Sequence, residues 1–439
     1  MRCSIARALV LAALVMSAVS PAAAQQAGEG GVRRPFRGLF AGDTGTPTAD
    51  GQHMSVSFSA LGAYDDNVFA GERGRTNPQF QRPGVYSSLT TGGVYSNQGD
   101  RQSLDASVTG AFRFYPEDQS LSSTQQVGSI SYGTRLGRTS IQLSQLLLRA
   151  PRFGFQGFPT IDPLTDSALG LGDLEFGTND FDVALRQVLR SASAASVTRA
   201  FGSRSSVSFN YAFRHTGFPD GGPSLTTQRG GGQYDRQLTR SASLRLGYGY
   251  RQFTLAETNE ATGVHDINVG INYQKALSFS RRTTLQFDTG SAVMNRQDRT
   301  YLRLTGSADL EHEIGRTWTA LVAFRRGLRF IDGFTEPAFS NSVSAQVGGL
   351  VTRRLDVSAN VAYVKGLNGV GDDGTNQRFS TYAGTLTIRY ALSQLLAVYT
   401  QALRYHYVFG DDIVLPEGFE RSIGRSGVRF GLTSNIPLF

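Results

Sequence analysis

Apolar and polar residues alternate with a period of two through most of this chain. In Val207-Ser208-Phe209-Asn210-Tyr211-Ala212-Phe213-Arg214 the odd positions are apolar or small and the even ones are small or polar. The run Leu302-Arg303-Leu304-Thr305-Gly306-Ser307-Ala308-Asp309-Leu310-Glu311 is sharper, with one face uncharged and the other carrying Arg303, Asp309 and Glu311. Successive side chains of a strand point to opposite faces, so each run predicts a two-faced β-strand. Residues 56–64, 104–114, 267–273, 357–363 and 382–390 repeat the pattern. Strands of a sandwich average about 5–6 residues; many of these reach roughly 10 or more, the length that crosses a bilayer at a tilt. The pattern predicts an all-β fold, a transmembrane antiparallel up-and-down β-barrel.

Short polar turns set the strand count. They recur at Gln98-Gly99-Asp100, Leu136-Gly137-Arg138, Phe201-Gly202-Ser203-Arg204, Leu238-Thr239-Arg240, Ser280-Arg281-Arg282, Ile314-Gly315-Arg316, Thr352-Arg353-Arg354 and Leu392-Ser393-Gln394. Most of these turns lie about 38 residues apart, room for two strands, one tight turn and one longer loop. The eight turns join sixteen strands, and one more strand precedes the first hairpin and one follows the last, which makes about 18 strands with both chain ends on the turn side. A barrel of 16 is the alternative, because the runs around Gly231 and Gln394 alternate less cleanly.

The chain's ends and composition narrow its setting. Arg2 and Arg7 lead into the apolar stretch 8–19, followed by Pro21 and Ala22-Ala23-Ala24, the layout of a secretory signal cleaved after residue 24. Residues 25–53, rich in glycine and proline, then read as a flexible periplasmic segment ahead of a barrel at 54–439. Mean hydropathy is −0.22, which excludes a bundle of membrane helices. The single cysteine, Cys3, departs with the signal, so the mature chain is expected to lack disulfides, cysteine metal sites and thiol catalysis. Of 43 basic residues only Lys275 and Lys365 are lysine, and the charge is scattered along the chain, which speaks against nucleic acid as a partner.

One spacing between turns is longer than the rest, between Gly137 and Gly202. It holds a third long loop at about 150–187, with Phe153, Phe155, Phe158 and the acids Asp162, Asp166, Asp173, Glu175, Asp180 and Asp182. Its end, Phe181, Ala184, Leu185, Val188 and Leu189, has helical spacing. Two readings stand: a loop exposed to the cell's surroundings, or one folded into the lumen as a constriction.

Candidate chemistry is sparse. His265-Asp266 and His215-Thr216 are adjacent pairs whose side chains point to opposite faces of a strand, so neither assembles the base, acid and nucleophile of a hydrolase. Asp65-Asp66-Asn67 has oxygen ligands but neither the spacing nor the glycine of an EF-hand. No metal site, cofactor or enzymatic activity is expected. Tyr64, Phe114, Phe213, Tyr273, Phe330 and Tyr390 at strand ends read as an interfacial girdle. Arg229-Gly230-Gly231-Gly232 lacks the Lys-Ser/Thr of a phosphate loop and reads as a strand against which something packs closely.

The signal peptide, the strand-turn pattern, terminal Phe439 and the first strand's run into Tyr64-Asp65-Asp66-Asn67-Val68-Phe69 resemble the outer-membrane β-barrel porins of the "beta-barrel porin 2" type. The resemblance covers essentially the whole mature chain. It implies residence in the outer membrane of a Gram-negative bacterium, contact with its lipids, and Phe439 as the signal read by the barrel-insertion machinery. Members often accompany exopolysaccharide export, so polysaccharide-export components are partners that the resemblance admits. At the carboxyl end Val428, Phe430, Leu432, Ile436 and Leu438 share one face, whereas Phe439 is out of phase and Pro437 removes a ladder donor.

Opposite the apolar face lie Asp105, Arg113, Arg245, Arg251, Asp288, Arg303, Asp309, Glu311, Arg325, Arg329 and Arg389. Buried charges need partners or water, and a barrel of about 18 strands is wide enough for a water-filled channel. These residues are expected to line a pore, with arginine in excess, for diffusion or export of small polar or anionic solutes, saccharides among them. The competing expectation is a non-conducting docking barrel associated with exopolysaccharide export or surface assembly.

Overall fold

The structure, a computed structural model, describes residues 38–40, 51–66, 83–117, 119, 122–150, 187–219, 224–255, 261–277, 280–296, 299–329, 338–368, 378–411, 413 and 421–438. The first six strands are β1 (Gly51–Asp65), β2 (Gly84–Gln98), β3 (Gln102–Phe114), β4 (Ser123–Leu136), β5 (Thr139–Ala150) and β6 (Val188–Ala200). Next come β7 (Ser205–Gly217), β8 (Leu225–Gln237), β9 (Ala242–Leu255), β10 (Ala261–Leu277), β11 (Ser280–Arg296) and β12 (Arg299–Ile314). The last six are β13 (Trp318–Arg329), β14 (Ala338–Leu350), β15 (Leu355–Asn368), β16 (Arg378–Ala391), β17 (Leu396–Phe409) and β18 (Ser422–Pro437). Among the described residues no helix is long and apolar enough to cross a membrane.

Every strand pairs antiparallel with its sequence neighbours, and β1 also pairs with β18, with Asp65 opposite Gly427 and Ser55 opposite Pro437. The sheet is therefore a closed barrel of 18 strands, not 16. The two regions of weak alternation hold their register: Gly231 lies opposite Asn210 and Gly249, and Ala391 opposite Ala397. Closure leaves the sheet without an edge strand, and both ends of the strand series lie at the rim that carries the short turns.

Outward positions follow the apolar half of the alternation. Leu89, Val108, Phe112, Phe209, Leu302, Leu304, Val361, Val428 and Phe430 are all exposed on the outside. On β18 the outward set Val428, Phe430, Leu432, Ile436 and Leu438 is the one the alternation predicts, and the Leu438 amide donates to the Met54 carbonyl at 2.7 Å beyond the last paired residues. Phe439 lies outside the described residues.

Local chemistry shapes the turns and one irregularity. Gly137 and Gly315 have φ of 61° and 67°, the left-handed region that favours glycine, and each sits in a tight turn. Residues 280–282, expected as a turn, instead open β11, which begins at Ser280 with Ser280 opposite Leu277. Val188 and Leu189 open β6, with Val188 buried and Leu189 exposed, so the helical spacing does not extend to them. Between β10 and β11 the register shifts between Ile267 and Tyr273. Side chains take over at the gap: Ser291 Oγ donates to the Ile267 carbonyl at 2.9 Å, and Arg245 Nη2 to the Thr289 carbonyl at 3.1 Å. At Gly231 a Cβ would sit 2.9 Å from the Tyr248 carbonyl and 3.1 Å from Asn210 Oδ1, so what packs closely on the glycine-rich strand is the neighbouring strand itself.

Candidate functional site

The inner wall is built by the polar half of the alternation. Asp105 and Arg113 on β3 alternate with outward Leu104, Val108 and Phe112; Arg245 and Arg251 on β9 alternate with Leu246, Tyr248 and Tyr250. Arg303, Asp309 and Glu311 on β12 face inward between Leu302, Leu304 and Leu310. Asp288 is opposite Ser307, Arg325 likewise opposite Ser307 from the other side, and Arg389 opposite Asp356. Arg329 pairs with Ala338 through the backbone, and its side chain lies outside the described set. The loop acids Asp162, Asp166, Asp173, Glu175, Asp180 and Asp182 also lie outside the described residues.

Most of the described inward arginines meet an acid or an aromatic ring. Arg251 contacts Asp266 twice at 2.7 Å, and Gly249, directly opposite Asp266, leaves room for the pair. Arg245 reaches across β10, past Gly270, to Asp288. Arg389 lies 3.5 Å from Asp356 and Arg325 3.6 Å from Asp309. Arg325 is the most open of these, its side chain 54% exposed. Arg113 lies over the Tyr86 ring at 4.8 Å and Arg303 over Phe339 at 5.7 Å. Asp105 accepts from Ser96 Oγ at 2.6 Å and Gln98 Nε2 at 3.1 Å, so this carboxylate is held by neutral donors.

Near the seam, the wall includes groups that the sequence reading did not single out. Arg425 on β18 pairs with Asp65 on β1, and both are almost fully buried. One step deeper, Arg429 donates to Tyr86 Oη at 3.0 Å and to Gln401 Oε1 at 3.3 Å, and Gln401 donates to Thr387 Oγ1 at 3.1 Å. Tyr405, Tyr407 and Phe409 follow at alternate positions of β17, with ring centroids 5.1 Å and 6.2 Å apart. All three are buried. The alternation that turns Val428 and Phe430 outward also turns Arg425 and Arg429 inward, and that parity was the available signal.

The turn-side mouth holds a piece of the amino-terminal segment. The Leu39 amide donates to the Arg353 carbonyl at 2.7 Å, and Phe40 is buried against Ala391 and Ala397. Arg389 lies over the Phe40 ring at 5.4 Å. Two alanines facing each other at the base of β16 and β17 leave the space that the ring fills.

His265 faces outward, its Nδ1 2.7 Å from the Tyr248 hydroxyl, while Asp266 faces the lumen. His215 is exposed beside Thr226 and Thr216 is buried. Asp65 is held by Arg425, and Asp66 Oδ1 accepts the Ser426 amide at 2.6 Å, so both serve the strand end; Asn67 lies outside the described residues. Tyr64 and Tyr390 are exposed on the outer face and Tyr273 stacks on Phe287 at 5.3 Å, whereas Phe330 is outside the described residues.

No protein-family model matches the chain, and no curated protein matches it either. Among solved structures it is similar to OpdQ of Pseudomonas aeruginosa, at 10% identity over 88% of this chain and 98% of that one, with a TM-score of 0.45. OpdO of Pseudomonas aeruginosa matches at 12% identity over 89% and 98%, with a TM-score of 0.44. The siderophore receptor PirA of Acinetobacter baumannii matches at 8% identity over 89% and 81%, also at 0.44.

Proposed function

We propose that the chain is a non-enzymatic channel of the bacterial outer membrane, exported through a cleaved signal peptide, that passes small polar or anionic solutes. The observation that carries this reading is the closed ring of 18 strands with an apolar exterior and an interior of charged and hydrogen-bonding side chains. Only a closed barrel satisfies its backbone in lipid with strands alone, and a charged interior is stable there only if it is paired or wet. Saccharides are included among the solutes because tyrosine, arginine and glutamine side chains share the wall near the seam. A second reading, a barrel that docks surface-polymer machinery without conducting, is favoured by the buried wall at β17 and by Phe40 in the turn-side mouth.

Planar-bilayer recording of the purified mature chain tests both. Conductance with anion preference in a salt gradient is expected, and Arg325→Gln should reduce that preference, most clearly at 0.01 M salt, where screening extends over about 30 Å. Cation preference in the unaltered chain would overturn the charge assignment, and silence under every condition would favour the docking barrel. Boiling should shift gel mobility relative to an unheated sample, because closure must be broken for the barrel to unravel; recovery in the soluble periplasm would remove the membrane reading altogether.

A further inference from the structure

The rim that carries the short turns repeats one small device. Leu136, Phe201, Leu238, Ile314 and Val351 are exposed large apolar residues at five strand-to-turn junctions or turn starts on that rim. Two or three residues after each comes an exposed arginine: Arg138, Arg204, Arg240, Arg316 and Arg353. Where their backbones are bonded, it is to the neighbouring segment: the Arg138 carbonyl accepts the Ala200 amide at 2.9 Å, that of Arg204 the Gln237 amide at 2.7 Å and that of Arg353 the Leu39 amide at 2.7 Å. The turns are thus fixed side by side, while among the described residues none of these five guanidinium groups is in an ion pair. That separates them from Arg245, Arg251, Arg389 and Arg425 of the interior, each of which has an aspartate.

From this arrangement we propose that the turn-side rim is a collar that binds anionic phospholipid headgroups, five arginines reaching phosphates at the boundary of the apolar belt. The inference rests on the membrane reading above. A lipid is the occupant because each cation is coupled to an apolar side chain: the apolar residue sits in the acyl region and the arginine stem extends to the headgroup level. A soluble anion would make no use of the apolar member. Guanidinium forms paired hydrogen bonds to phosphate oxygens, which suits arginine to this place in a chain with two lysines. The turn at 392–395 keeps the apolar member, with Leu392 and Leu395 exposed, and lacks the arginine, so the collar is open at that point.

Native mass spectrometry of the full mature chain, extracted from vesicles of equal dioleoyl phosphatidylglycerol and dioleoyl phosphatidylcholine, tests this. The unaltered barrel should retain phosphatidylglycerol in preference to phosphatidylcholine, and a chain carrying R138Q, R204Q, R240Q, R316Q and R353Q should lose that preference; an arginine at an anionic surface changes partitioning about fivefold. A barrel that folds in phosphatidylcholine vesicles, as judged by its heat-shifted gel band, but shows no phosphatidylglycerol preference overturns the collar and leaves the channel intact. So does an equal preference in the five-fold variant. Inorganic polyphosphate bound in neutral detergent by the unaltered chain only, without lipid preference, overturns it in favour of a soluble anion. Failure to fold in vesicles of either lipid would instead strike the membrane reading on which the collar rests.

Discussion

Asp65→Ala should destabilise the inserted barrel by about 3–5 kcal/mol, the cost typical of removing one partner from a buried ion pair. The carboxylate and Arg425 are 3% and 1% exposed, so the guanidinium cannot turn to water when its partner goes. They join β1 to β18, the pairing that closes the ring, and Asp66 adds a bond to the Ser426 amide on the same seam. Urea unfolding of the chain folded into lipid vesicles measures the loss. A second variant, Asp65→Ala with Arg425→Leu, removes both charges and should recover much of it, since an apolar pair of similar volume is often neutral or better. A single variant within about 1 kcal/mol of the unaltered chain would show that the seam is held by its backbone ladder alone.

Phe40→Ala should release the amino-terminal segment from the turn-side mouth. Burial of a phenylalanine contributes about 2 kcal/mol, so its loss should raise the undocked population roughly 30-fold. The sequence places a tryptic site at Arg37, just ahead of the docked residues. Cleavage there, measured on the folded barrel, should accelerate by a similar factor as long as the segment opens and closes faster than it is cut. In a bilayer the same variant should conduct more, or more steadily. If cleavage speeds up while conductance is unchanged, the segment is tethered at the wall without obstructing the passage. If neither changes, the Leu39 bond to Arg353 suffices to hold it.

The barrel was legible in the sequence because its two periodicities are local. Alternation within a strand and polar punctuation between strands each span a few residues, and together they give 18 strands. Residues 280–282 carry turn-like polarity yet open β11, because at a rim polarity does not separate turn from strand. Partners were harder to read. Asp65 and Arg425 are 360 positions apart, and nothing near either residue announces the other. Arg245 was seen as a pore charge, yet its bond to the Thr289 carbonyl answers an interruption of the β10–β11 ladder that no local pattern encodes. Phe40 stands in a stretch without periodicity, and only the facing alanines of β16 and β17 explain its position.

A closed ring has no first strand. The β1–β18 pair runs antiparallel over eleven residue partners, Ser55–Asp65 against 427–437, in the same manner as the hairpins joined by covalent turns. The start of β1 and the end of β18 lie at one rim, and the Leu438 amide already bonds to the Met54 carbonyl. Cut at the turn after β8 and rejoined through a short linker from β18 to β1, the chain would keep every strand partner it has now. What such a circular permutation would disturb is the Leu39-Phe40 segment, whose anchorage depends on where the natural chain begins its circuit.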